Sequence, residues 1–334
     1  MSSAPLLVTA SPHLGAGDST PKIMWHVVAS LVPIAAAATW LFGVSALLVM
    51  AAALAGAVLT ERLFGPGGTL RDGSAAITGI LLGLTLPAGL PLWMAFVGGV
   101  FGIGIGKLIF GGLGQNVFNP ALLGRAFLQA SFPVAMTTFP TLATDWWSLR
   151  GDTFALPFAS PRPLDAITGA TALGRMKFER QPTALADLVL GTTTGSLGET
   201  SGLLILLCGG YLAARNYLNW RIPASIFATV AGLAALLHLV DPARYPGPLF
   251  MLFSGGLMLG AVYMATDLVT SPVTNRGCWI FGAGIGLLVV VIRLWGGLAE
   301  GVMYSILIMN ALVPFLNRWT QPHVFGAARA RALP

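Results

Sequence analysis

Residues 165–174 read Asp-Ala-Ile-Thr-Gly-Ala-Thr-Ala-Leu-Gly. Two hydroxyls, Thr168 and Thr171, stand among glycine and alanine, with the carboxylate of Asp165 just upstream. Two readings fit those residue types. Gly169 and Ala170 can make a tight polar turn in which a threonine caps the next helix. The same small neighbours also leave a threonine hydroxyl open to a large group arriving from outside. In that reading the acid helps an enzyme bind or activate the hydroxyl.

Other polar residues stand inside apolar runs. Residues 114–127 carry Asn116, Asn119 and Arg125, residues 263–277 carry Asp267 and Asn275, and residues 299–310 carry Glu300 and Asn310. A charge at mid-bilayer costs about 2.5–3.5 kcal/mol, so such residues usually face a protein interior or a wet path. Pro120 follows Asn119 and Pro272 follows Ser271, which predicts breaks between half-helices where freed backbone groups can hold an ion or a cofactor. The competing reading places these residues in interfacial loops, where they only anchor helix ends. The cysteines Cys208 and Cys278 and the histidines His13, His26, His238 and His323 are scattered. No zinc, iron–sulfur or haem ligand set is expected from this chain alone, though a ligand shared with another subunit stays open.

The elements that must position these residues are apolar helices. The 334 residues are 55% hydrophobic and 9% charged, far below the quarter or so that soluble domains carry. The expected fold is an all-α polytopic membrane protein. Ten segments are predicted near 24–42, 45–62, 74–88, 92–110, 117–136, 201–218, 222–240, 248–266, 278–296 and 298–316. Residues 1–21 are too polar for a cleaved leader, so the first span is expected to direct insertion. The net charge of +6 is spread singly over loops, which suits membrane topology and gives no reason to expect nucleic acid.

With the first residues in the cytoplasm, Lys22, Arg62, Arg71, Lys107, Arg215, Arg221, Arg276 and Arg318 fall inside. Both termini are then cytoplasmic and the long loop 137–200 is external. The predicted organisation is a cytoplasmic segment 1–21, a five-helix unit 22–136, the external loop 137–200, a second five-helix unit 201–318 and a cytoplasmic tail 319–334. Residues 91–108 align weakly with 277–294, matching Trp93 to Trp279 and Gly98 to Gly284. An odd number of spans per unit makes the repeats inverted, as in many transporters. A rival match of 91–99 to 248–256 breaks that scheme. The glycines of 98–114 suit close helix packing and lack the spacing of a phosphate loop.

The pattern Asp-x-x-Thr-Gly-Ala-Thr resembles the flavinylation motif of bacterial respiratory complexes. The stretches at 72–87, 116–127, 254–277 and 300–318 are similar to the NqrB/RnfD family. The resemblance spans about residues 22–320, and the chain length is more like the RnfD (RsxD) branch, found in Rnf complexes. It implies FMN joined by a phosphoester to Thr171, with Asp165, Thr168, Gly169 and Ala170 forming the motif around it. Thr168 stands where many members have Ser, which keeps the hydroxyl. It also implies room for a second, non-covalent flavin such as riboflavin among the spans.

The family passes electrons between ferredoxin and NAD and couples this to Na⁺ or H⁺ transport. The expected partners are therefore other membrane subunits, a second FMN-carrying subunit, and iron–sulfur and NADH-binding subunits in the bacterial inner membrane. On this reading Asp267, Glu300, Asn119 and Ser271 are expected to line the cation route. Arg125 is the candidate for steadying a flavin anion or its phosphate. No residue of this chain is expected to be catalytic by itself. The alternative is a channel or small-solute permease, which has no use for a phosphoester loop.

Overall fold

A computed structural model describes residues 18–66, 69–140, 145–149, 151, 153–157, 171–181, 183–199, 201–242 and 244–322. The regular structure among them is helical. In the first half, α1 is Thr20–Phe42, α2 Val44–Phe64, α3 Ser74–Leu84, α4 Leu92–Ile103, α5 Pro120–Ser131 and α6 Pro133–Thr137. Then come the short α7, Ala172–Gly174, and α8, Leu185–Leu190. The second half has α9 Gly202–Ala214, α10 Arg221–Val240, α11 Pro248–Phe253, α12 Leu257–Leu259, α13 Asn275–Trp295 and α14 Val302–Thr320.

Helix occurs in each of the ten expected segments. Among the described residues four helices, α1, α2, α10 and α13, are long and apolar enough to cross a membrane. The chain is a membrane protein.

Local chemistry explains where the helices start and stop. Ser19 caps α1 and Asn119 caps α5, each ahead of a proline in the first turn. Gly43, at φ 77°, lets α1 turn directly into α2. Three helices end in a wide π-turn: α4 in Gly104–Leu108, α7 in Arg175–Glu179 and α12 in Gly260–Met264. Such turns interrupt the regular ladder and often mark sites of function. Two of the expected breaks are present, since residues 109–119 separate α4 from α5 and residues 265–274 separate the last π-turn from α13.

α2 packs mainly on α4, and α10 on α13. At the first contact Gly56 meets the Phe96 carbonyl and Gly99 the Ala53 carbonyl so closely that neither has room for a Cβ. With no hydrophobic drive between helices in lipid, this close approach supplies the van der Waals contact.

Several connections meet on one face. Val44 N donates to Trp146 O at 3.0 Å, and Leu92 N donates to Thr153 O at 3.0 Å. Residues 196–199 dip inward, where Leu197 N donates to Leu86 O at 3.0 Å and Gly198 N to Leu84 O. That dip carries Glu199 to the break after α3. On the other face, Trp25 Nε1 donates to Arg71 O at 3.2 Å and Val273 N to Asn317 Oδ1 at 3.1 Å.

Candidate functional site

The backbone of Thr171 is extended (φ −64°, ψ 157°). Its Oγ1 accepts the Gly174 N–H at 3.1 Å, so it caps α7. Ala172 and Leu173 are buried with Leu188 and Phe250, which docks the segment on the helices. Lys177, in the π-turn that follows, donates to Gly296 O at 2.6 Å and Leu298 O at 2.7 Å. Those carbonyls belong to the chain just past the end of α13, so a cation there also suits the helix dipole. Partial burial lowers the Lys177 pKa from its ordinary value.

The docked Thr171 forms part of the wall of a cavity of about 620 Å³. Arg125, Gln129, Glu199 and Glu300 line it too, with Met136, Phe139, Met303 and Tyr304 as apolar and aromatic walls. Arg125 Nη2 pairs with Glu300 Oε2 at 3.1 Å, and the two side chains are only 13% and 19% exposed. The other Glu300 oxygen accepts the Gly256 N–H at the break between α11 and α12. Arg125 Nε is buried with no partner.

Glu199 accepts the Ser196 hydroxyl at 2.8 Å. It stands in the connection before α9, outside the apolar helices. Burial, and then the negative charge of Glu300, pushes its carboxyl up to about 7, against the opposing pull of Ser196 and Arg125. Arg293 closes the cluster from α13. It donates to Met251 O at 2.6 Å and Ser254 O at 2.9 Å, which satisfies carbonyls at the end of α11.

A second cavity of about 800 Å³ lies at the other end of α5. Its polar lining includes Ser74, Lys107, Asn116, Asn119, Tyr263 and Asp267. Asn119 Nδ2 donates to Met264 O at 3.2 Å while its Oδ1 caps α5. Asp267 accepts from Val269 N at 3.4 Å and Thr270 Oγ1 at 3.1 Å, so it braces its own turn. Beside this cavity Lys107 Nζ contacts Glu61 Oε1 at 2.6 Å and Ser74 Oγ at 2.5 Å. Lys107 is 2% exposed and Glu61 1%.

The structure therefore divides the residues that the sequence singles out. Thr171, Arg125 and Glu300 share one cavity; Asn119 and Asp267 share the other. Ser271 is buried, and its N–H donates to Asp267 O at 3.1 Å. Asp165, Thr168, Gly169 and Ala170 lie outside the described residues. Lys107, counted above among the cytoplasmic charges, sits buried in a π-turn against Glu61, because that turn directs it into the protein.

Sequence reasoning passes over Glu61, Glu199 and Arg293. The signal for Glu61 and Arg293 is an ionisable residue near the end of an apolar helix, which also fits an interfacial anchor. Glu199 gives no local signal, because its depth comes from the inward dip of residues 196–199.

The match to a known family model covers residues 7–326, nearly the whole chain. The model is that of the NQR2, RnfD, RnfE family. This chain belongs to that family. Among family relatives, the D-type subunit of the ion-translocating oxidoreductase complex of Stutzerimonas stutzeri is 44% identical, over 95% of each chain. The D-type subunit of the proton-translocating ferredoxin:NAD(+) oxidoreductase complex of Clostridium ljungdahlii is 40% identical, over 96% of each. Its counterpart in the Na(+)-translocating ferredoxin:NAD(+) oxidoreductase complex of Acetobacterium woodii is 39% identical, over 98% of this chain and 97% of its own.

Proposed function

We propose that this chain is the flavin-carrying, RnfD-type membrane component of an ion-translocating ferredoxin:NAD oxidoreductase complex. The observation that carries the reading is Thr171, whose hydroxyl caps α7 at the wall of a cavity that also holds Arg125. An ester oxygen at Oγ1 keeps a lone pair for the Gly174 N–H, so attachment of FMN phosphate there leaves the cap in place. When bound, the flavin supplies the electron-transfer chemistry, and the protein sets its place and surroundings. Arg125, with an unpartnered Nε, offers a charge-assisted hydrogen bond to an anionic group. Met136, Phe139, Met303 and Tyr304 shield a planar ring from water.

The remaining parts of the reading have their own support. Basic residues favour a cytoplasmic first segment. The connections at residues 43, 89–91, 146, 151 and 153 meet on one face, which suits an external flavin loop in the bacterial inner membrane. The two five-helix halves are read as inverted repeats, since α2 packs on α4 and α4 on α5 as α10 packs on α13 and α13 on α14. The cation, Na⁺ or H⁺, is assigned to the Asn119–Ser271–Asp267 end, with Glu300 near the flavin end. A second flavin such as riboflavin is assigned to the mainly apolar cavity beside Tyr263. The iron–sulfur, NADH-binding and second FMN-carrying parts belong to partner subunits.

The test is the intact mass of the purified chain. The expected increment is one FMN, mapped to the peptide that holds Thr171 and lost in Thr171→Ala along with ultraviolet-excited fluorescence on a denaturing gel. A native chain with the mass of its bare residues overturns the assignment.

A further inference from the structure

A third cavity, also about 800 Å³, lies on the same face as Thr171 but is lined by different chemistry. Lys177, Arg180, Arg244 and Arg293 line it, and among the described residues no carboxylate does. Lys177, Arg244 and Arg293 make side-chain contacts with neutral groups. Lys177 is bound by backbone carbonyls, and Arg244 lies over the Tyr245 ring at 5.5 Å. Arg293 donates to two carbonyls and keeps a buried Nε with no partner, although it is 3% exposed. Glu199 and Glu300 are near enough to attract it, and Asp241 Oδ1 accepts the Arg244 backbone N–H at 3.2 Å; among the described residues the four cations outnumber these carboxylates. The cavity is built for an anion.

Its surroundings indicate which kind of anion. The cavity sits at the end of α13, a 21-residue helix apolar enough to span. Trp295 and Tyr245 lie there with ring centroids 6.2 Å apart, and Trp295 is 55% exposed. Amphipathic rings of this kind favour the level of lipid head groups. Phe250 and Leu294 give the cavity an apolar wall. Beside it, His238 of α10 holds the Tyr245 carbonyl at 2.8 Å, and the last two residues of α10, Leu239 and Val240, are highly exposed. A cationic pocket with an apolar flank at that depth matches a phosphate diester whose acyl chains continue along the helices.

We propose that this cavity binds the head group of an anionic phospholipid of the outer leaflet. Arg180 and Arg244 reach the phosphate from the loops, and Arg293 marks the inner limit of the site. The bound lipid ties the connection between α10 and α11 to the π-turn after Thr171. It thus braces the segment that carries that threonine.

The test uses native mass spectrometry of the purified complex after exchange into lipid–detergent micelles. Phosphatidylglycerol and phosphatidylcholine are supplied in separate arms, each for the parent and for Arg180→Gln/Arg244→Gln. Loss of two charge-assisted contacts predicts a drop in phosphatidylglycerol retention of at least about tenfold, with phosphatidylcholine retention unchanged. The melting temperature and the Thr171 flavin signal, read on the same samples, verify that the variant is folded. If it is not, the single variant Arg244→Gln carries the same comparison.

A Thr171→Ala arm separates sources of phosphate. Equal phosphatidylglycerol retention with and without the attached flavin supports the proposal. Retention seen only in Thr171→Ala overturns it, because the cavity is then the flavin's own. Displacement by millimolar inorganic phosphate, or equal retention of both lipids, also overturns it.

Discussion

Replacing Arg125 with Met removes the partner of a carboxylate that is only 19% exposed. Breaking a buried ion pair from one side costs about 3–5 kcal/mol, because the charge left behind stays in a poorly solvated place. The surroundings decide where in that range the loss falls. Glu300 keeps the Gly256 N–H. Glu199 repels it, and with the pull of Arg125 gone the Glu199 carboxyl holds its proton more firmly. That relief places Arg125→Met near the lower end, about 3 kcal/mol.

Glu300→Gln is milder. The amide oxygen still accepts from Gly256, and the removal of one negative charge lets Glu199 ionise and answer Arg125. A loss of about 1–2 kcal/mol follows. The double variant contains no orphaned Arg125 charge and retains the Gly256 acceptor, so it should melt above Arg125→Met alone. The assay is thermal melting of the purified complex. At about 2–4 °C per kcal/mol, Arg125→Met lowers the melting temperature by about 6–12 °C. Single variants within about 1 °C of the parent, or a double variant equal to the sum of the singles, refute the pairing argument.

Other consequences follow from the same geometry. The Glu199 carboxyl is raised from its ordinary value of 4.5 to about 7, so the folded protein holds its proton more tightly than the unfolded chain. Stability should therefore fall as pH rises through that window and level off above it, and melting curves of Glu199→Gln should lack this slope. Lys107→Met strands Glu61 with an unpartnered Oε2 and should cost about 3–5 kcal/mol, measured as lost folded protein in detergent, while Lys107→Met/Glu61→Gln recovers much of it. Asp267→Asn should reduce ion transport in vesicles while keeping the flavin fluorescence of the chain; normal transport removes Asp267 from the route. Gly99→Leu places a side chain against the Ala53 carbonyl and the Ala57 nitrogen and should prevent α2 from closing on α4, read as aggregation on size exclusion.

Much of the architecture can be read directly from the residue order. Composition fixes a helical membrane protein, because backbone polar groups in lipid must be satisfied within each segment. The pairs Asn119–Pro120 and Ser271–Pro272 announce breaks, and the structure has non-helical chain at both. Thr171 can be singled out because a hydroxyl among Gly and Ala is a local pattern. Its cap on α7 is local too, reaching only three residues ahead.

Burial and partnership are a different matter. Lys107 and Arg293 carry the same charge as any interfacial anchor, and only the packing of α4 on α2 and the carbonyls at the end of α11 turn them inward. Glu199 enters the cluster because residues 197 and 198 hydrogen-bond to residues 86 and 84, more than a hundred positions away. Arg125 and Glu300 are 175 residues apart, and the sequence assigns them to separate tasks until the fold pairs them. Patterns within one or two helical turns follow from local sterics and hydrogen bonding, so the chain order determines them. Which charges meet depends on how helices cross, and the tertiary structure alone decided that.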